Sequence, residues 1–596
     1  MEFNPTYETI GTIFEKNFLF EVPKYQRYYA WGDEQIDDFT ADIDNILKNG
    51  IGENKIEHFF GSIVCARKIV HGSNRQQKEL IDGQQRITTA LLLIINILRM
   101  YEKIGLEMDG EIIKARIKKI KEKYLTYQDE INRHPQSVNK LELSSADNVY
   151  FQDIINGQIG EEIRDSHKRL KQAYIKIEKY INQVMNDCNG NDEKIDTLGL
   201  LENILHNNCS IIFIDTDTRD SAYKLFQVLN NRGAGLTEGD LLKSKILEAL
   251  EKNYALKQDS IQRYWDEILQ EDPRQNEEFL RTYYASVCGS RAGRTSLYDD
   301  FLKKFFPEIF EQDILETDAD AESVTKKVSI ILNECKAYRK IINGDWPYED
   351  MQPITEWDRR RLYILTKYLN YEITYPLLLA ATKLNHKIFA RLVLALEIFM
   401  FRYKTICNNG HQKLSVLFSQ EAQKIREDGD GYSSSSFINK LRELLLSDAD
   451  DAKFSIGVKG LKYKSGGNRT LRYFFSMLCE YYDWYKGGAE GKPKVGKEKI
   501  INLENLTIEH ICPQSSKGEV PIFDGDDVHQ LTNLTVLTSD ENDKARNKNF
   551  SEKRAIYIES KYTINKEFEN FEEWTYENAE IWRKEIIDMA CKIFFI

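Results

Sequence analysis

The middle of the chain, from about Lys252 to Leu446, repeats apolar residues at the spacing of an amphipathic helix. Clear examples are RLYILTKYLNYEITYPLLLAATKL from Arg361 and IFARLVLALEIFMFRYKTI from Ile388. Because a strand would place such a pattern on both of its faces, this region is predicted to be all-helical. Breaks in the helical pattern are expected at LETDADAES from Leu315, REDGDGYSSSS from Arg426 and KGGAEGKPKVGKEK from Lys486.

The first 250 residues mix strand patterns with helical ones. FFGSIVCARKIV from Phe59 and CSIIFIDT from Cys209 are typical of strands. KELIDG from Lys78 predicts a short strand, followed by a helix from Ile87. A further helix, SAYKLFQVLNN, is expected from Ser221.

The length of 596 residues exceeds what one hydrophobic core can hold, and no repeat of fixed period is visible. The predicted fold is α+β and predominantly helical. Three domains are expected: an α/β domain at residues 1–250, a helical region at 251–450 and a second mixed domain at 451–596.

Several kinds of protein are excluded by composition. The longest apolar run, Ala90 to Leu98, is too short to cross a bilayer, and the N-terminal MEFNPTYETIGTIFEKNF lacks the features of a secretion signal. The 9 cysteines are scattered and never spaced as CxxC. We therefore expect a cytoplasmic protein with no membrane partner, no disulfides and no zinc cluster.

The segment TIEHICPQSS from Thr507 places an acid, Glu509, directly before His510 at the end of an apolar strand. Hydrolysis of a phosphodiester needs a base that works near neutral pH, and imidazole is such a base. The reaction also needs a divalent cation, which prefers oxygen ligands. Glu509 and Asn542 can supply a carboxylate oxygen and an amide oxygen.

The second half of this constellation, QLTNLTVLTSDENDKARNKNF from Gln530, contains the apolar strand NLTVLT and the start of a helix. Together with the first strand it predicts a β-β-α core, which resembles the HNH, or ββα-metal, nucleases. The resemblance implies that His510 is the general base and that Glu509 and Asn542 bind Mg²⁺ or Mn²⁺. It also implies that Asn533 completes the catalytic set by bracing the loop and orienting the histidine.

A single histidine at the end of a strand is more often a hydrogen-bonded core residue than a catalytic one. The joint pattern of four polar positions in this order, separated by apolar strands, is far more specific. Many relatives have aspartate where this chain has Glu509, which is longer by one methylene. For three neighbouring polar residues a structural role is the better interpretation: His529, Asp540 and Lys544.

The formal net charge of −13 argues against a surface that is basic throughout, since DNA phosphates need local positive charge. Two basic stretches remain, Lys453 to Arg472, which includes Tyr463, and Lys544 to Arg554. Such runs are usually solvated faces, and only their position beside the motif at His510 favours a DNA groove.

Residues Leu80 to Thr89, LIDGQQRITT, join a strand to a helix through a glycine turn crowded with polar groups. Such a junction points backbone N–H groups and the positive end of the helix dipole at an anion. Arg86 can bind a phosphate with both arms of its guanidinium, Asp82 can hold a cation or a water, and Gly83 permits close backbone approach. Many proteins have such a junction and bind nothing there, so the spacing alone is a weak signal.

Further motifs accompany this one: YQRYYAW from Tyr25, FFGS from Phe59, LNNRGAGL from Leu229, FRYKTIC from Phe401 and TIEHICPQ from Thr507. On these residues nearly the whole chain resembles the GmrSD-type proteins. Their N-terminal half is a ParB/sulfiredoxin-like nucleotidase domain with a DGQQR motif, and their C-terminal part is an HNH nuclease.

The resemblance implies an NTP-hydrolysing module that controls a DNA-cutting module in defence against phages with modified DNA, as in modification-dependent (type IV) restriction. The implied nucleotide site consists of Asp82, Gly83, Gln84, Gln85 and Arg86, with Gln26 and Arg27 nearby. Asp82 and Arg86 are its expected catalytic residues. For the aromatic residues Tyr25, Tyr28 and Trp31, packing is the better interpretation.

The main hypothesis is therefore an NTP-regulated, metal-dependent DNA endonuclease that restricts modified phage DNA. Two alternatives stay open: a nucleotide-switched DNA-binding sensor, and a nonspecific nickase or toxin-like effector. The DNA modification and the choice among GTP, UTP and ATP stay open as well. Because one HNH site cuts one strand at a time, a homodimer is expected if both strands are cut together.

Overall fold

The structure, a computed structural model, describes residues 4–16, 18–23, 26, 28–49, 56–68, 76–107, 110–131, 134–218, 222, 237–250, 254–293, 297–311, 315–350, 353–497, 500–514 and 528–596. The chain divides into two compact units. One comprises residues 1–269 with 305–325, and the other residues 270–304 with 326–596. Helices predominate and the sheets are small and mixed, which confirms the predicted α+β, predominantly helical class.

Eight strands lie in the first unit. They are β1 (Asn4–Thr9), β2 (Phe18–Glu21), β3 (His58–Lys68), β4 (Gln76–Asp82), β5 (Thr126–Ile131), β6 (His134–Asn139), β7 (Leu141–Glu142) and β8 (Cys209–Thr216), counted over the described residues. Six of them form a mixed sheet in the order β1-β8-β3-β4-β2-β7, while β5 and β6 form a separate hairpin. The strands predicted from Phe59, Lys78 and Cys209 are confirmed, and they are three neighbours at the centre of the sheet.

The helices of the N-terminal part are α1 (Ile10–Glu15), α2 (Asp33–Asn49), α3 (Gln84–Glu107), α4 (Glu111–Ile120), α5 (Ser145–Asn156), α6 (Asp165–Asn186), α7 (Asn191–Asn207), α8 (Glu238–Leu250) and α9 (Ala255–Ile268). Every residue of α3 from Ile87 to Leu98 is buried, so the longest apolar run of the chain forms the core of this unit. The helix predicted from Ile87 starts three residues earlier, because the Ile87 N–H already bonds the carbonyl of Gly83 over 2.9 Å. The helix predicted from Ser221 lies almost wholly outside the described residues.

Helices are the main regular elements of the described residues from 273 to 486. They are α10 (Pro273–Cys288), α11 (Leu297–Phe305), α12 (Pro307–Glu311), α13 (Asp318–Asn343), α14 (Glu356–Tyr363), α15 (Tyr375–Ala381), α16 (His386–Met400), α17 (Gln412–Asp428), α18 (Ser434–Asp448), α19 (Asp451–Lys459) and α20 (Arg469–Lys486). No strand forms among the described residues from 254 to 446, which confirms the all-helical prediction there. None of the helices described for this chain has both the length and the apolarity to span a bilayer.

All three predicted breaks interrupt the helices. The helices α17 and α18 are separated at Gly429–Gly431, and among the residues described between α20 and Leu506 there is no regular element. The acidic segment from Leu315 is not helical at residues 315–317, which lie between α12 and α13. Thr317 then caps α13, because its hydroxyl accepts the Asp320 N–H over 3.1 Å. Acidic residues in a first turn stabilise a helix N-terminus, so the same segment contains the predicted break and the start of α13.

A buried ion-pair network joins α14, α16 and α20. The guanidinium of Arg361 donates to Glu397 and to Glu480, each over 3.2 Å, and Tyr473 donates to Glu397 over 2.8 Å. Burial raises the pKa of Glu397 to about 7, although Arg361 and Tyr473 act in the opposite direction.

The chain ends in a small β-β-α arrangement. It consists of β9 (Leu506–His510), β10 (Leu534–Thr538) and α21 (Ser539–Ala545), followed by α22 (Phe550–Ile558) and α23 (Tyr576–Ile593). The two strands are antiparallel, so that Leu534 lies opposite His510 and Thr538 lies opposite Leu506.

Candidate functional site

The joint between β10 and α21 contains no loop. Thr538 is the last residue of the strand and also the N-cap of the helix: its hydroxyl accepts the Glu541 N–H over 3.3 Å. In return, the Glu541 carboxylate accepts the Thr538 N–H over 2.9 Å. This reciprocal capping box fixes the start of α21 relative to the ribbon.

Asn542 and Glu509 lie on the same face of the ribbon. The amide nitrogen of Asn542 donates to the hydroxyl of Thr507 over 3.0 Å. Thr507 and Glu509 are two residues apart in β9, and side chains two apart in a strand share a face. The amide oxygen of Asn542 accepts no hydrogen bond from any described residue.

Glu509 is buried and held by two donors from α22. The ammonium of Lys553 lies 2.6 Å from Glu509 Oε1, and the Tyr557 hydroxyl donates to the same oxygen over 3.3 Å. Lys553 is itself fully buried and also donates to the backbone carbonyl of His510 over 2.7 Å. Burial raises the pKa of Glu509, and the neighbouring Lys553 opposes that shift.

His510 is buried at the end of β9 with both ring nitrogens in contact with polar groups. Its Nε2 lies 3.1 Å from Nδ1 of His529, and its Nδ1 lies 3.1 Å from the side-chain nitrogen of Gln514. Burial lowers the pKa of His510 to about 4, and the neighbouring His529 and Lys553 act in the same direction. The imidazole is therefore neutral near pH 7.

Asn533 braces the loop that follows His510. Its side-chain oxygen accepts the Cys512 N–H over 2.7 Å, and its nitrogen donates to the carbonyls of Cys512 and Val528, each over 3.0 Å. The residue is fully buried. Because both ends of the amide are used in this way, any effect of Asn533 on His510 passes through the backbone.

Two residues close to His510, Tyr463 and Lys553, were not assigned an individual role from the sequence, and a third, His529, was expected to be structural. Tyr463 belongs to the basic stretch before α20, and its neighbour Lys462 forms a β-bridge with Gln530. The local sequence contained one usable signal, namely an aromatic residue within a basic stretch. Lys553 belongs to the second basic stretch, Lys544 to Arg554, but its burial was not predictable, since lysine is rarely fully buried.

The residues around Glu509 fit a hard divalent cation that keeps part of its water. Glu509 offers a carboxylate and Asn542 an amide oxygen, on one face of the ribbon. No group of three His, Cys, Asp or Glu side chains able to hold a metal occurs in the described parts of the chain. Mg²⁺ is commonly bound by one or two carboxylates together with waters and substrate phosphates, which suits this small donor set.

The second candidate site lies where β4 ends and α3 begins. Gly83 has φ +97°, and a Cβ there would lie 2.7 Å from Cγ1 of Ile63 in β3. Arg86 donates to the carbonyl of Ser62 over 2.7 Å and lies 3.4 Å from the Asp82 carboxylate. The FFGS strand and the DGQQR turn therefore meet at this junction.

Arg86 packs directly against a second glycine. Gly61 has φ +106°, and a Cβ at this position would lie 2.7 Å from Nε of Arg86. The absence of a side chain there leaves the space that the guanidinium occupies. About a third of the Arg86 side chain is exposed, so the group is accessible from solvent.

The segment around Tyr28 is attached to the same junction. Gln85 accepts the Ala30 N–H over 2.7 Å and donates to the Tyr28 carbonyl over 3.2 Å. Gln26 is buried and donates to the Ile81 carbonyl over 3.1 Å. Arg27, Tyr25 and the LNNRGAGL segment lie outside the described residues.

Gln84 is buried at the first position of α3, and its side-chain nitrogen has no hydrogen-bond partner among the described residues. The hydroxyl of Thr88, one turn later in α3, is also buried and has no hydrogen-bond partner among the described residues. An unpaired buried donor is costly, and a ligand with acceptor oxygens is one way to satisfy it.

Tyr28 and Trp31 take part in packing. The Tyr28 hydroxyl donates to Asp266 over 2.6 Å, and Asp266 also accepts from the buried Lys243 over 2.7 Å. Trp31 packs edge-on against Phe60, with ring centroids 6.3 Å apart.

Comparison with protein families gives two matches. Residues 10–247 match the N-terminal domain of the GmrSD restriction endonuclease, and residues 448–589 match the C-terminal domain of the GmrSD restriction endonucleases. The first range contains the junction at Asp82 and the second the ribbon at His510. No curated protein matches the chain. Restriction endonucleases are enzymes that cut DNA in defence, and this chain belongs to the GmrSD restriction endonuclease family.

Proposed function

We propose that the chain is a metal-dependent DNA endonuclease of the HNH type, regulated by an NTP and directed against modified phage DNA. The observation that carries the proposal is the arrangement at the β-β-α end of the chain. A neutral His510 follows Glu509 at the end of β9, and Asn542 joins Glu509 on one face.

In this proposal His510 takes a proton from the attacking water, which requires the neutral imidazole. Since His529 and Gln514 contact its ring nitrogens, one of them must move to admit that water. Glu509 and Asn542 would hold Mg²⁺ or Mn²⁺, which supplies stabilisation of negative charge on the phosphate and the leaving oxygen. Asn533 keeps the loop, and thereby His510, in place.

The N-terminal junction is proposed as the NTP site, with the fold of a ParB/sulfiredoxin-like nucleotidase. Asp82, Gly83, Gln84, Gln85 and Arg86 would bind the nucleotide, with Gln26 and Arg27 nearby. Support comes from the start of the long helix α3, whose first N–H groups suit phosphate, and from the partly exposed Arg86. Asp82 and Arg86 are the residues proposed to act in hydrolysis.

The deciding experiment is cleavage of unmodified and phage-modified DNA by the wild type and by His510→Ala. Each reaction is run with Mg²⁺ or Mn²⁺, and with GTP, UTP, ATP or no nucleotide. Cutting that is lost in His510→Ala and requires metal, nucleotide and modification supports the proposal. Cutting that ignores modification points to a nonspecific nickase or effector. DNA binding without cutting in the wild type contradicts the proposal and points to a sensor.

Two further parts of the proposal concern assembly and the nucleotide. A homodimer would place two HNH sites on one duplex, and light scattering of the protein with and without DNA tests this. The nucleotide that supports cutting in the experiment above identifies the cofactor.

A further inference from the structure

A buried lysine lies between the proposed metal ligand and the proposed base. The ammonium of Lys553 is 2.6 Å from Glu509 Oε1 and 2.7 Å from the carbonyl oxygen of His510. Its side chain is fully buried, so from this position it does not reach a DNA phosphate. The effect of Lys553 on the site must therefore act through these two contacts.

In the absence of a divalent cation, the ammonium of Lys553 already neutralises the negative charge of the Glu509 carboxylate. Glu509 is buried as well, with 5% of its surface exposed, and the other proposed ligand, Asn542, is uncharged. A divalent cation bound by Glu509 would lie close to the ammonium. Because little water is present to screen charges in a buried site, the two positive groups repel each other strongly. Binding of the cation alone is therefore disfavoured.

A DNA phosphate changes this balance, because its negative charge offsets the added positive charge. We propose that Lys553 makes cation binding depend on DNA, so that the site takes Mg²⁺ or Mn²⁺ firmly only when a phosphate is bound beside it. The inference rests on the proposed function of this site. By linkage, DNA and the cation then strengthen each other's binding by the same factor.

The experiment is calorimetric titration of Mn²⁺ into the full chain carrying His510→Ala, which keeps added duplex DNA uncut. We expect Mn²⁺ to bind at least about tenfold more tightly when DNA is present. Equal Mn²⁺ affinity with and without DNA overturns the proposal, whatever any lysine variant does.

The role of Lys553 is isolated by adding Lys553→Met, which keeps a long side chain and removes the charge. Without DNA, this variant is expected to bind Mn²⁺ at least about tenfold more tightly than its parent, and to gain less from DNA. The matched control is Lys561→Met, which removes an exposed charge just after α22 and should leave the affinity unchanged. A folded Lys553→Met protein with parental or weaker affinity overturns the proposal.

Glu509→Gln separates this inference from the proposed function. If Glu509→Gln leaves Mn²⁺ binding to the DNA complex unchanged, the cation is bound elsewhere and the site assignment itself fails. If Glu509→Gln removes the binding while Lys553→Met behaves like its parent, the site stands and only the role of Lys553 fails.

Discussion

The ring of Tyr463 meets the ring of His510 edge-on, with centroids 4.7 Å apart, and stacks on His529 with centroids 5.6 Å apart. The Tyr463 N–H also donates to the His529 carbonyl over 2.9 Å. The basic stretch before α20 is thereby attached to the candidate site. Tyr463 restricts the positions that both imidazoles can take.

We predict that Tyr463→Ala lowers the rate of DNA cleavage by about 10- to 100-fold, because small displacements of a catalytic group have effects of this size. Tyr463→Phe keeps the ring and should keep most of the rate. Single-turnover cleavage at saturating metal measures both variants. A wild-type rate in Tyr463→Ala means that His510 is held without this ring.

Asn533→Ala should lower both stability and cleavage. The change leaves buried backbone groups of Cys512 and Val528 without partners, and each such loss costs about 1–3 kcal/mol. Thermal unfolding and cleavage are measured together. Unchanged stability would show that the loop after His510 does not depend on this amide.

Asn542→Ala should lower cleavage much more than stability, in contrast to Asn533→Ala. Its amide makes one hydrogen bond, to Thr507, so the loss of stability should be about 1 kcal/mol or less. Cleavage should fall by orders of magnitude, because the metal and the base act as a unit. Normal cutting by Asn542→Ala would show that the metal is bound by other residues.

Gly61→Ala should abolish NTP hydrolysis without changing any residue of the proposed nucleotide site. The added Cβ would lie 2.7 Å from Nε of Arg86 and must displace the guanidinium. The loss should match that of Arg86→Ala in the same turnover assay.

The matched control for this prediction is Gly190→Ala. Gly190 has nearly the same φ, +109°, but a Cβ there meets nothing within 4 Å. It therefore reproduces the backbone strain without the clash, and should keep the turnover. If Gly61→Ala keeps as much turnover as Gly190→Ala, NTP hydrolysis does not depend on the position of the Arg86 guanidinium.

Glu397 should make the stability of the helical region depend on pH. Its pKa in the folded protein is about 7, against an ordinary value of 4.5. Between these two pH values the folded state therefore retains a proton on Glu397 that the unfolded chain has lost. Stability contributed by this group is complete below pH 4.5 and decreases as the pH rises through 7, by up to about 3 kcal/mol. Glu397→Gln stays neutral and should flatten the dependence. Unfolding midpoints from pH 5 to pH 8 test this, and identical profiles for both proteins contradict it.

The proposed metal and base residues were predictable from the sequence because their geometry is local. Glu509 and His510 are neighbours in one strand, and a single capped joint leads from β10 to Asn542. Strand alternation and helix capping act over a few residues, and both can be recognised in a sequence.

The surroundings of these residues were not predictable in the same way. Tyr463 and Lys553 reach His510 from other segments of the chain, through packing that no short pattern encodes. At the N-terminal site, the meeting of Gly61 with Arg86 depends on β3 lying beside β4. The order of strands in a mixed sheet follows from the whole unit and not from one motif.

The shared residue at the β10–α21 joint, Thr538, has a consequence for how this site tolerates changes in length. Successive residues of an α-helix are rotated by about 100°, so one residue inserted after Thr538 would turn Asn542 to another side of α21. Its amide would then lose Thr507 and leave the face that carries Glu509. The distance in sequence between β10 and Asn542 is therefore as constrained as the identity of the residues themselves.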